Sequence, residues 1–88
     1  MTIPPAITTK LREILGEVLG LSPTRMAKLT ADTALFGSMP ELDSMSVAGL
    51  LTELEDRFAI IIDDEDVNGD MLETFGTLAA FVARKVAV

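Results

Sequence analysis

The chain has 88 residues, a formal net charge of −7 and a pI near 4.3, with 49% apolar and 24% charged residues, which is the composition of one small globular domain (residues 1–88). It contains no Cys and no His, which excludes disulfides, thiolate zinc sites and cysteine nucleophiles and removes the usual general base at neutral pH. Trp and Tyr are also absent, so an acidic chain with few aromatics offers neither the basic face nor the stacking platforms that nucleic-acid binding needs.

The first predicted element is an amphipathic helix, because Ile3, Ile7, Leu11, Ile14, Leu15 and Val18 recur at helical spacing. Thr2 or Ile3 precedes Pro4 and Pro5, which suit a first turn, and Gly20 suits the end. From Leu21 to Leu42 the pattern breaks, with Pro23, Gly37, Ser38 and Pro40 as punctuation and Met26, Leu29, Leu35 and Phe36 as anchors. That predicts a loop of about twenty residues, long enough in so small a domain to suggest function. A second helix is predicted from Asp43-Ser44, with Asp43 as its N-cap and Val47, Leu50, Leu51, Leu54 and Phe58 as its core stripe. Gly49 inside this helix costs about 1 kcal/mol relative to Ala, a local conflict.

Ala59-Ile60-Ile61-Ile62 has strand propensity but no partner strand, so an extended connector that buries one or two Ile side chains is expected. Asp63–Asp70 reads as an acidic turn with one helical turn near Val67, and a last helix opens at Thr74 with Phe75, Leu78, Ala79, Val82 and Val86 inward. The expected fold is all-α, a small bundle of three main helices with a short fourth, and a long loop between the first two main helices. Met1–Pro5 lacks the basic start and apolar run of a signal peptide, and no apolar run approaches the length of a membrane span. A cytoplasmic monomer is expected.

Charge is unevenly spread. Lys10, Arg12, Arg25 and Lys28 outweigh Glu13, Glu17 and Asp32 over residues 1–40, whereas residues 41–73 hold eleven acids against Arg57 alone. Such a concentrated field is either solvated surface or a docking face for basic partners. Within it, Asp64, Asp66, Asn68 and Gly69 take the first, third, fifth and sixth places of a calcium-loop pattern. The twelfth place, which must bring a bidentate carboxylate, is Phe75, and Glu73 comes two residues too early. No metal ligand set is therefore assigned.

Ser44 is the remaining candidate. With no His and no nearby Lys it cannot be an activated nucleophile of its own. It is either an ordinary helix-start residue or a serine modified by another enzyme, at a helix N-terminus that favours an attached phosphodiester.

Leu42-Asp43-Ser44-Met45, the segment Leu54-Glu55-Asp56-Arg57-Phe58, and Thr74-Phe75-Gly76-Thr77-Leu78-Ala79-Ala80-Phe81-Val82 together resemble an acyl carrier protein over essentially the whole chain. Met45 stands where the family's Asp-Ser-Leu signature has Leu, and Thr74–Leu78 match its Thr-Val-Gly-Asp-Leu helix start. The resemblance implies that Ser44 receives 4′-phosphopantetheine from coenzyme A through a magnesium-using phosphopantetheinyl transferase, with Asp43 as the adjacent acid. The arm's thiol would then carry an acyl or aminoacyl thioester for a ligase, synthase or acyltransferase with a basic docking surface. Pro40-Glu41-Leu42 replaces the family's Gly-x before Asp-Ser, and Gly49 replaces a frequent acid. The Pro40–Met45 stretch and the Asp-rich turn before Gly69 are similar to stand-alone carriers of exosortase and exopolysaccharide systems. Leu-Asp-Ser-Met is also similar to D-alanyl carriers.

Met45, Ala48, Gly49, Thr52, Glu55 and Asp56 share the helix face opposite the core stripe, flanked by Glu41 and Glu53. This face is the expected partner-docking surface. The alternatives are an aminoacyl or D-alanyl carrier, and an unmodified acidic interaction or calcium-responsive module.

Overall fold

A computed structural model describes residues 3–37 and 39–87. Helix α1 (Pro5–Leu19) begins with Pro5 in its first turn and ends where Gly20 turns left-handed. The N–H groups of Gly20 and Leu21 both donate to the Gly16 carbonyl, which satisfies orphan acceptors at that end. Ile7, Leu11, Ile14 and Leu15 are buried as their spacing predicts, and Ile3 and Val18 pack against them. Thr2 and Ser38 lie outside the described residues.

The expected long loop contains a helix. Helix α2 (Pro23–Ala27) starts from Ser22, whose Oγ accepts the Arg25 backbone N–H at 3.2 Å. Pro23 at the first helical position initiates this turn, because the N–H it lacks would have no intrahelical partner there. Met26 then packs on α1 at Gly16, where a Cβ would overlap its sulfur.

Leu29, Leu35, Met39 and Leu42 bury along the strap from α2 to the next helix. Phe36 does not: it is 47% exposed, so its reading as a core anchor is corrected. The strap is laced to the segment before the last helix. Leu35 and Phe36 donate to the carbonyls of Glu73 and Leu72 (2.9 and 3.0 Å), while Phe75 and Gly76 donate back to Thr33 and Ala31 (both 2.9 Å). This pairing includes an antiparallel bridge between Ala34 and Thr74. Arg12 of α1 pins the same strap, donating to the Leu29 carbonyl at 3.0 Å while its guanidinium lies 5.6 Å from the Phe75 ring centre.

Helix α3 (Ser44–Phe58) buries Leu50 and Leu54 completely, with Val47, Leu51 and Phe58 packed beside them. Burial of each Leu removes apolar surface worth roughly 1.5–3 kcal/mol. The helix ends at Ala59, which adopts a left-handed φ of +53° that glycine usually supplies. The connector follows as expected: Ile60 is buried, Ile62 partly so, and Ile61 is 75% exposed. A 3₁₀ turn (Asp64–Asp66) follows, held by Asp66 accepting the Asp63 N–H at 3.1 Å and the Lys85 ammonium at 2.6 Å.

Helix α4 (Phe75–Val86) opens with a capping box in which Thr74 and Thr77 exchange backbone-to-hydroxyl bonds of 3.0 and 3.1 Å. Phe75, Leu78, Ala79, Phe81 and Val82 face the core. Val86 is 44% exposed, because the helix has by then run past the core; its inward assignment is corrected. Helix α1 packs on α2, α3 and α4, and α3 packs on α4, which gives the small helical bundle expected. Among the described residues no helix is long and apolar enough to cross a membrane.

A candidate attachment site at the start of α3

Ser44 is the first residue of α3 and is exposed. Its backbone position is fixed from both sides. Upstream, Met39 and Leu42 are buried, and the Leu42 N–H donates to the Met39 carbonyl at 3.0 Å. Downstream, the Asp43 Oδ1 accepts the Ser46 N–H at 2.8 Å and caps the helix. The backbone N–H and the hydroxyl of Ser46 hold the Asp43 carboxyl below its ordinary range, so it is ionised at neutral pH. A serine hydroxyl is thus presented at the positive end of a 15-residue helix dipole, on a backbone that is not free to wander.

Ser44 opens onto a cleft of about 290 Å³, lined also by Phe36, Val47, Val67, Asn68, Gly69 and Leu72. Three chain segments meet there: the strap, the first turns of α3, and the stretch after the 3₁₀ turn. None of the lining side chains is charged, although residues 41–73 carry eleven acids. Phe36, Val67, Asn68, Gly69 and Leu72 have no place among the sequence-derived site residues, since long-range lacing brings them to Ser44. The one available signal was Phe36 directly before Gly37, whose φ of +92° allows the turn that leaves the ring at the surface.

The residues of the expected docking face differ in their surroundings. Met45 is 86% exposed, and Ala48, Gly49, Thr52 and Asp56 are exposed along the same face. The flanking acids are already engaged. Glu41 receives both Arg25 guanidinium nitrogens, which holds its carboxyl below the ordinary range. Glu53 pairs with the Arg57 Nε at 3.1 Å, and Arg57 also pairs with Glu17. Glu55 turns back to accept the Ile62 N–H at 2.9 Å and so holds the connector. The first two turns of the face are therefore neutral and shallow, with Asp43 and Asp56 at its ends.

The acids of the calcium-like pattern diverge. Asp66 faces Lys85, the Asn68 Oδ1 accepts the Met71 N–H at 2.9 Å, and Phe75 is in the core. Among the described residues no three acidic side chains gather as a metal site would require.

Comparison with known proteins agrees with this geometry. The family model described as the phosphopantetheine attachment site matches residues 9–84. An acyl carrier protein of Rhodococcus erythropolis is 28% identical over 78 residues, covering 89% of this chain and 79% of that protein. A meromycolate extension acyl carrier protein of Mycolicibacterium aurum is 30% identical, covering 89% and 74%. The solution NMR structure of a holo acyl carrier protein from Nitrosomonas europaea superposes with a TM-score of 0.84 at 40% identity, covering 97% of this chain and 100% of that one.

Proposed function

The chain belongs to the acyl carrier protein family and works with a 4′-phosphopantetheine prosthetic group, and from that premise we propose that Ser44 bears the arm. The observation that carries the assignment is an exposed serine at the first position of a capped 15-residue helix, opening onto an uncharged cleft. Beyond one phosphodiester the arm is neutral, with two methyls, a hydroxyl, two amides and a terminal thiol, so these uncharged surroundings fit it. Once bound, the group supplies the mobile thiol, able to carry acyl groups as thioesters, that a chain without Cys lacks.

A carrier is not itself a catalyst, and the roles of this chain's residues follow from that. The Ser44 Oγ forms the new bond to phosphorus and the nucleotide part of coenzyme A leaves. The proton lost by Ser44 goes to a base on the transferase, since the chain has no His and the Asp43 carboxylate, capping the helix, is held below its ordinary pKa and is a weak base. The α3 N-terminus favours the phosphodiester that results. Asp43 holds the first turn in place and offers a fixed negative charge beside the hydroxyl for the transferase and its magnesium ion.

Docking falls to the α3 face, with Met45 as an apolar knob, Ala48 and Thr52 as flat contact surface, and Asp56 as the charge for a basic partner surface. Glu41, Glu53 and Glu55 act through the fold, by holding Arg25, Arg57 and the connector. The partners are the phosphopantetheinyl transferase and then an acyl or aminoacyl ligase, synthase or acyltransferase. Loading takes place in the cytoplasm, where coenzyme A is available. Incubation with coenzyme A, magnesium and a broad-specificity transferase should add the mass of one phosphopantetheine, and Ser44→Ala should abolish the gain. No gain on a folded protein, with a known carrier loaded in parallel, would overturn the assignment.

A further inference from the structure

The sulfur atoms of the chain are unevenly sheltered. With no Cys, every sulfur it encodes is a methionine thioether. Met39 and Met71 are buried, and the half-buried Met26 packs its thioether on Gly16 of α1. Met45 differs from all three: it is 86% exposed and stands outside the core cluster. It is also the residue directly after Ser44, in the first turn of α3, at the head of the face that Ala48 and Thr52 continue. It is the one large apolar side chain in that part of the face. A leucine there, as in the family's signature, would present an apolar surface of nearly the same volume without an oxidisable atom.

We propose, resting on the reading of Ser44 as the attachment site and of α3 as the docking face, that Met45 is an oxidation site at which hydroperoxides weaken the binding of partners. In the step itself a lone pair of the thioether takes one oxygen of the peroxide. The S–O bond forms as the O–O bond breaks, and sulfur loses two electrons to the peroxide. The proton of the transferred oxygen passes to the leaving one, so that hydrogen peroxide leaves as water and an organic hydroperoxide as its alcohol. The product is a sulfoxide, neutral like the thioether but polar where the thioether was apolar. Because Met45 supports nothing in the core, this change leaves α3 and the bundle intact, whereas the same oxidation at Met39 or Met71 would put a polar group among apolar side chains. On the docking face the effect is the reverse. There an S=O group would be buried against a partner surface that is built for an apolar knob and leaves it unpaired, so docking weakens. Enzymatic reduction of the sulfoxide restores the thioether, and the change is therefore reversible.

The test treats the full chain before loading, when it holds no thiol to compete, with hydrogen peroxide. Fragmentation mass spectrometry should find oxygen on Met45 before it reaches Met26, Met39 or Met71, and Tm should stay at the untreated value. Loading by a phosphopantetheinyl transferase should then show the KM for the carrier raised several-fold at nearly constant kcat, as the loss of a docking contact requires. Methionine sulfoxide reductases acting on both epimers should return the KM to that of the untreated chain. Met45→Leu, compared with and without peroxide, should show no change in KM. Oxygen added first to Met26, Met39 or Met71 would overturn the proposal while leaving attachment intact. The same holds for an oxidised Met45 chain with the untreated KM, a rise in KM accompanied by a fall in Tm, or an equal rise in peroxide-treated Met45→Leu. An untreated chain that takes no arm would overturn both readings.

Discussion

Two alanine substitutions at helical glycines should have opposite effects. Gly76 is the second residue of α4, and a Cβ built there would stand 2.7 Å from the Ala31 carbonyl oxygen and 3.1 Å from the Ala31 Cβ. The oxygen belongs to backbone that also accepts the Gly76 N–H at 2.9 Å, so it cannot swing aside as a side-chain end could. Accommodation requires the strap to move by several tenths of an ångström, at about 1–3 kcal/mol for an overpacked site. Weakening the Gly76–Ala31 hydrogen bond costs about 1 kcal/mol more. Against this stands a gain of less than about 1 kcal/mol from helix propensity and a less flexible unfolded chain. Gly76→Ala should therefore destabilise by about 2 kcal/mol, a fall of roughly 8–16 °C in Tm for a domain of this size. Gly49, in the interior of α3, has nothing within 4 Å of its virtual Cβ. There only the propensity gain operates, and Gly49→Ala should stabilise by about 1 kcal/mol. Urea unfolding of both variants measures the difference. A Gly76→Ala protein as stable as wild type would refute the reasoning that the strap is rigidly laced to α4.

The remaining predictions concern α3 and its surroundings. Ala59→Gly should stabilise by roughly 0.5–1 kcal/mol in the same assay, because it relieves a left-handed φ of +53° at the helix end; a loss of stability would show that the Ala methyl contributes more than the strain costs. The Asp43 carboxyl is depressed in the folded chain by Ser46, so its contribution is full above the unfolded value near 4 and is lost as pH falls through the lower folded value. Asp43→Asn, which keeps a capping oxygen, should therefore lose less stability than wild type between about pH 5 and pH 2 in acid-unfolding curves followed by circular dichroism. Asp56→Lys should slow loading by a basic transferase several-fold at low salt, converging on wild type as salt rises, with unchanged Tm. Glu55→Lys should lower Tm, because it removes the acceptor of the Ile62 N–H.

How much was legible in the sequence depended on the range of the interaction. Helix α1 and the α3 stripe were readable because Leu11, Ile14 and Leu15, and Leu50 and Leu54, repeat at the helical period and are all fully buried. Asp43 and Gly20 were readable because caps are local. Helix α2 was not, since five residues give no periodicity, and Pro23, which reads as loop punctuation, is a helix-starting Pro behind the Ser22 cap. The site divides in the same way. Ser44, Met45, Ala48, Thr52 and Asp56 follow from one helix, and their exposure matches the spacing. Glu41, Glu53 and Glu55 were assigned to the same face, but Arg25, Arg57 and the Ile62 backbone engage them, and two of those partners lie beyond the reach of local pattern reading. Phe36 shows the limit most clearly. A Phe in a loop defaults to the core, and only the lacing of Leu35–Phe36 to Leu72–Glu73 reveals that its ring stands beside Ser44 instead.

The central claim is that the arm is carried by Ser44, and its sharpest rival within the chain is Ser46, two residues along the same helix. Ser46 is only partly exposed, and its N–H and hydroxyl are engaged by Asp43. Fragmentation mass spectrometry of the loaded protein decides between them. The account predicts one phosphopantetheine, located on Ser44 and absent from Ser44→Ala but present in Ser46→Ala. An arm found on Ser46 or any other residue, or loading that survives Ser44→Ala, would contradict it.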